Sequence, residues 1–344
     1  MTQKEPLVSI MIPNYNYSQY LDECIQSAIN QTYDNLEIII LDNKSTDDSM
    51  QIIRKYNDSR IRIGINSYNI FNNNYKILSD CLIDGKYAMT LCSDDAIEPD
   101  FIKMAVDYME KYPNVAYVHG ERSFIEPDGT EHLLSPFFKC SFRAEGVNMM
   151  PIYMVTTVAH ASQGVFRLSS FRNIHGYDIE VDHMNLDRSL WFFMSYQNEY
   201  IYLQKKMARI RISPGADTSD AMRWFQHPIL YHMTINDFIR FARQYDIPEV
   251  YNREEEAIKR LSIENIGYAM TMLGEGNFER AQDYLTYSYI HDRNIISNED
   301  FKIAKKMIDG HCVDQSLIMG KTGIDFDKKR FYDPPIGYEE LDFL

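Results

Sequence analysis

"VSIMIPNYNYSQYLDECIQSAINQTYDNLEIIILDNKSTDDS", Val8 to Ser49, decides the fold. The apolar run from Leu7 to Ile12 is too short for a helix and closes at Pro13-Asn14, so it reads as a buried strand meeting a turn. The period then changes. Leu21, Cys24, Ile25, Ala28 and Ile29 fall on one helix face, and Ser18 is placed to cap its start. A second buried strand follows at Leu36–Leu41 and ends in the polar cluster Asp42 to Asp48. Strand, helix, strand with polar residues after each strand is the opening of a parallel α/β sheet.

The pattern continues downstream. Helical spacing resumes over Met50–Tyr56, Ile61–Ile65 is a third strand, and Ile77–Ile83 is helical. Tyr87–Leu91 is a fourth strand and runs into "LCSDDAIEPD", Leu91 to Asp100. Open α/β sheets bind ligands outside the carboxyl ends of their strands. The polar ends of strands one, two and four are therefore expected to line one crevice. Asp94 and Asp95 stand at its mouth. Asp95-x-x-Glu98 fits a capping box and Pro99 a first helical turn, which accounts for one carboxylate. A divalent cation accounts for two, because it offsets their repulsion and takes carboxylate and phosphate oxygens.

Bulk composition narrows the function classes. The chain has 344 residues, 45% hydrophobic and 25% charged, which is ordinary for a globular protein of two or three domains. A net charge of −15 repels phosphate backbones and disfavours nucleic-acid binding. No run approaches the length of a membrane span, and MTQKEP lacks a signal-peptide core. The 5 cysteines are scattered with no C-x-x-C pair, as expected of reduced thiols in the cytoplasm. Peripheral association with the inner face of a membrane is compatible with all of this.

Beyond Phe101 the alternation loosens. Asp100–Tyr112 reads as helix, Val115–His119 as strand, Leu186–Tyr196 as helix and Tyr200–Ile212 as strand. The expected boundary falls at 218, dividing an α/β domain (1–100 for the donor, 101–218 for acceptor and catalysis) from a helical part, 219–344. Within the latter, Gly267–Tyr287 resembles one helix–turn–helix unit of the tetratricopeptide type. That part is read as the surface for a partner, a second copy of the chain, or the acceptor.

Four segments, in order and at matching spacing, resemble family 2 glycosyltransferases of the GT-A fold, a Rossmann-like, mostly parallel sheet flanked by helices. They are Val8–Ser49, "GKYAMTLCSDDAIEPDF" (Gly85–Phe101), "HGYDIEVDHMNLDRSLWFFM" (His175–Met194) and "ARIRIS" (Ala208–Ser213). The resemblance implies inverting transfer of a sugar, hexosyl or N-acetylhexosaminyl, from a nucleotide diphospho-sugar to a glycan or glycoconjugate hydroxyl. UDP-sugars are the favoured donors, Mn²⁺ or Mg²⁺ the metal, and a surface polysaccharide or lipid-linked glycan the product class. It places Pro13, Asn14, Tyr15, Asp42 and Asn74 about the nucleotide. It gives Asp94 the ribose or the metal, Asp95 the metal, and Asp187 the role of general base. Cys92 replaces the family's first acid, and Ser213 stands where His is common.

Two other classes share parts of this pattern. A nucleotidyltransferase also joins an α/β sheet to metal carboxylates, but needs a basic Gly-rich loop after the first strand, and Pro13-Asn14-Tyr15-Asn16 offers neither. A non-catalytic sugar-nucleotide binder or scaffold is the alternative that Cys92 and Ser213 keep open. His160 lacks metal-type sequence spacing and reads as a surface or core histidine, and Trp191 reads as core.

Overall fold

The computed structural model describes residues 5–69, 83–174, 186–213, 222–318 and 332–342. Asn74 and most of the expected helix Ile77–Ile83 lie outside them. The chain divides into two compact units. One comprises Met1–Tyr153, Thr157–Ser213 and Lys329–Leu344, the other Met154–Thr156 and Pro214–Lys328.

The first unit is built on a sheet. Its elements, in chain order, are β1 (Val8–Asn14), α1 (Ser18–Ile29), β2 (Leu36–Asp42), α2 (Ser49–Ile53), β3 (Ile61–Ile65), β4 (Tyr87–Thr90), β5 (Ala96–Ile97) and α3 (Phe101–Lys111). There follow β6 (Val115–Ile125), β7 (Glu131–Leu133), β8 (Phe142–Glu145), α4 (Met150–Tyr153), β9 (Gly164–Arg167), α5 (Leu168–Asn173), α6 (Leu186–Ser195), β10 (Glu199–Arg211) and β11 (Glu339–Glu340). The strand order is β11-β8-β10-β6-β9-β4-β1-β2-β3, with β5 beside β10 and β7 beside β6.

Strands β4-β1-β2-β3 are parallel, as the opening stretch predicts. All seven residues of β2 are buried, the pattern of an inner parallel strand covered on both faces. The other half differs from expectation. β6 and β10 are parallel, but β9, β8 and β5 run antiparallel to their neighbours, so the sheet is mixed.

Three local expectations are corrected. Asp95 does not cap α3. It precedes the two-residue strand β5, and α3 starts only at Phe101, after Pro99, with Asp100 at its N-cap. The pairing of Ala96 with Arg209 and Ile97 with Ala208 claims this segment for the sheet. Ser18 is the first residue of α1 rather than its cap. Its N–H donates to Asp47 Oδ2 at 2.8 Å, so a carboxylate from the loop after β2 caps the helix. Met50–Tyr56 shortens to the five residues of α2.

The second unit is helical: α7 (Gln226–Gln244), α8 (Pro248–Tyr251), α9 (Glu254–Gly274), α10 (Phe278–His291), α11 (Glu299–Gly310) and α12 (Gln315–Ile318). The expected helix–turn–helix is α9 and α10, joined at Glu275-Gly276-Asn277. Gly276 has φ +76°, a left-handed conformation that glycine adopts without strain. Asn277 caps α10 by accepting from Arg280 N. Met270, Leu273, Ala281, Tyr284 and Leu285 form this unit's own core with Ala304 and Met307.

Candidate active site

The ends of β1 and β2 are tied to each other. Asn14 pairs with Asp42 in register, and Asn14 Nδ2 donates to Asp42 Oδ2 at 2.8 Å. Ser45 donates to Asp42 twice, from its N–H to Oδ1 and from its hydroxyl to Oδ2. Asp42 is wholly buried by these contacts, whereas Tyr15, one residue past β1, is exposed. β4 lies on the other side of β1, and Leu91 N donates to Met11 O at 2.8 Å. Pro13-Asn14, Asp42 and Cys92-Ser93-Asp94-Asp95 therefore leave the sheet at the same edge.

The pairing of β5 with β10 fixes the carboxylates. Asp95 Oδ1 accepts from Arg211 N at 3.0 Å and Oδ2 from Ser162 Oγ at 2.6 Å. Asp94 Oδ2 accepts from Ser213 Oγ at 2.7 Å. Ser213, standing where a histidine is common in the resembling family, thus holds Asp94 directly. Burial and the neighbouring Asp95 push the Asp94 carboxyl up to about 6, against the Ser213 hydrogen bond. Burial likewise raises Asp95 to about 6, opposed by Ser162 and Arg211.

His160 joins them, a residue that sequence spacing left aside. Its Nδ1 lies 3.4 Å from Asp95 Oδ2. Burial lowers the pKa of its ring, while the charges of Asp187 and Asp94 act to raise it. His160 opens one turn of 3-10 helix, Ala161–Gln163. Gln163 Oε1 accepts from His160 N, and Gln163 Nε2 donates to Gly120 O on β6. Arg122, also on β6, donates to Gln163.

Asp187 lies in the first turn of α6, where its Oδ1 accepts from Arg188 N at 2.7 Å. Burial raises its pKa, with His160, Arg122 and Arg188 pulling the other way. Trp191 sets the position of this helix. It is fully buried, as its spacing predicts, and Nε1 donates to Ala159 O next to His160.

Asp94, Asp95, His160 and Asp187 therefore form one electrostatic cluster at the carboxyl edge of the sheet. The donor set fits a divalent cation: two adjacent carboxylates, each with a hydrogen bond fixing its orientation, whose shared negative charge protein cations only partly offset. In open α/β sheets the crevice outside the carboxyl ends of the strands is where ligands bind, and this cluster lies there.

Residues 9–174, just under half of the chain, match the family model of glycosyl transferase family 2. The match contains Asp42, Asp94, Asp95 and His160 and stops short of Asp187. An uncharacterized glycosyltransferase of Haemophilus influenzae is 42% identical over 113 residues, 32% of this chain and 35% of that protein. A chondroitin synthase of Escherichia coli is 36% identical over 129 residues, 37% of this chain and 19% of that protein. The chain thus spans about a third or less of these two relatives' lengths.

Two solved structures share the GT-A fold. Staphylococcus aureus TarS 1-349, in complex with UDP-GlcNAc, has a TM-score of 0.53 at 16% identity, covering 89% of this chain and 92% of that one. The mannosyltransferase PcManGT of Pyrobaculum calidifontis, in complex with GDP-Man and Mn²⁺, has a TM-score of 0.51 at 12% identity, covering 93% and 86%. Among the described residues no helix is long and apolar enough to cross a membrane.

Proposed function

We propose that the chain transfers a sugar, with inversion, from a nucleotide diphospho-sugar to a hydroxyl of a glycan or glycoconjugate. The observation that carries this reading is the cluster of Asp94, Asp95, His160 and Asp187 beside the ends of β1 and β2. Asn14, held by Asp42, and the exposed ring of Tyr15 border the nucleotide. A UDP-sugar is the favoured donor, in keeping with the UDP-GlcNAc of the TarS complex. Asn74, outside the described residues, is assigned to the same pocket by resemblance alone.

Asp94 and Asp95 would hold Mn²⁺ or Mg²⁺, and the bound cation supplies Lewis-acid stabilisation of the departing diphosphate. Ser213, Ser162 and the Arg211 N–H keep the carboxylates turned into the site. Asp187 accepts the proton of the acceptor hydroxyl. Burial makes its carboxylate a stronger base than one in water, which suits it to that step. Trp191 anchors α6 so that Asp187 stays near His160.

Thermal shift with UDP-, GDP- and dTDP-sugars, with and without Mn²⁺, tests the donor half. At least one should raise the melting temperature in a metal-dependent way, and no response to any of them would sink the reading. Asp187→Asn tests the chemistry. Transfer should fall by about 10²–10⁴-fold while donor-induced stabilisation persists. Equal transfer by the variant would remove Asp187 from the mechanism, whereas donor binding with no transfer by the wild type would put the scaffold reading ahead.

A further inference from the structure

The donor atoms around Asp95 are not all oxygen. Cys92 Sγ, a carboxylate oxygen of Asp95 and a ring nitrogen of His160 lie within 4.8 Å of one another. Four-coordinate transition-metal sites place their ligand atoms about 3.5 Å apart, and His160 Nδ1 is already 3.4 Å from Asp95 Oδ2.

The trio is held from behind. Ser162 Oγ accepts from Cys92 N at 3.0 Å and donates to Asp95 Oδ2 at 2.6 Å, so one hydroxyl fixes two of the three donors. The third is fixed through Gln163 and β6. Asp95 is buried, while Cys92 and His160 are half-buried, so the open side faces away from the core. Three protein ligands with an open side are the form of a metal site that admits substrate oxygen.

Hard Mg²⁺ favours an all-oxygen set, whereas thiolate and imidazole favour the later transition ions. We propose that Cys92, Asp95 and His160 together bind a transition ion of the Zn²⁺ or Co²⁺ type in preference to Mg²⁺, Cys92 losing its thiol proton to the solvent on binding. The inference rests on the reading of this edge as the metal end of a donor pocket, and narrows the ion from a general divalent cation to a thiophilic one. Cys92, which stands at the position of the family's first acid, is then a selector of the metal rather than a lost ligand.

The test is a titration of the metal-stripped full chain with Co²⁺, followed by competition with Mg²⁺. The wild type should show a thiolate-to-cobalt charge-transfer band. Cys92→Ser should lose it and bind Co²⁺ at least about tenfold more weakly. His160→Gln should keep the band with weaker binding. Cys92→Asp, which makes the set all oxygen and nitrogen, should gain Mg²⁺ affinity. Far-ultraviolet circular dichroism checks that each variant folds. Competition on the wild type alone decides the matter if a variant does not. Mg²⁺ displacing Co²⁺ at equal concentration, or a band unchanged in Cys92→Ser, would overturn the inference. The two proposals fail separately: full transfer with Mg²⁺ and no thiolate band leaves the glycosyltransferase reading standing. A thiolate band without nucleotide-sugar binding under any metal leaves only the metal site.

Discussion

At the scale of single residues, the Asp94–Asp95 pair is a local instability. Both carboxyls are raised from 3.8 to about 6, by burial first and, for Asp94, next by its neighbour's charge. Between those values the folded chain binds more protons than the unfolded chain. Stability therefore falls as pH rises through this window, and the penalty is complete above about 6. Asp94→Asn removes one charge while its amide oxygen can still accept from Ser213. The metal-free variant should be more stable than the wild type by about 1–2 kcal/mol at pH 7.5. The gain should vanish near pH 4, and donor-dependent transfer should be lost. Denaturant melts of metal-free protein at both pH values check this. A gain that is larger at the acidic end would contradict the assigned cause.

At the scale of elements, the site depends on how closely α6 approaches β9. A Cβ on Gly164 would come within 2.4 Å of the Trp191 ring, and that ring also holds Ala159 beside His160. Gly164→Ala should therefore cost about 1–3 kcal/mol as an overpacked core and displace both His160 and Asp187. Transfer should fall more than donor binding, because Asp94 and Asp95 are fixed by β5, β10 and Ser162. A kcat loss with unchanged donor KM is the expected signature, and a variant of wild-type stability and kcat would contradict it. The same elements mark the limit of what the sequence reveals. The opening strands and α1 were legible because apolar runs and helical periodicity are local signals, and the Asp94-Asp95 doublet stands at a strand end that can be read directly. His160 was not legible: its bond to Gln163 is a local turn contact, but its approach to Asp95, 65 residues upstream, is made by the tertiary fold and has no local signature. The capping box failed for the same reason. Asp95-x-x-Glu98 has the right letters, but pairing with Ala208 and Arg209, more than a hundred residues away, outweighs a local helix start.

At the scale of the whole molecule, two cores of different kind hold the chain. The sheet unit contains every described residue assigned to the site, whereas the helical unit closes on Leu273, Met270, Tyr284 and Leu285 without them. Separate cores make the stability of one unit separable from the chemistry of the other. Leu273 is fully buried on α9, so Leu273→Ala should cost the helical unit about 2–5 kcal/mol through lost burial and the cavity left behind. Calorimetry should then show a transition moved to lower temperature while a second stays in place. The melting shift caused by donor and metal should remain with the second, since Asn14, Asp94 and Asp95 lie in the sheet unit. A single transition that moves as one, or a donor KM raised by Leu273→Ala in steady-state kinetics below that transition, would contradict this independence.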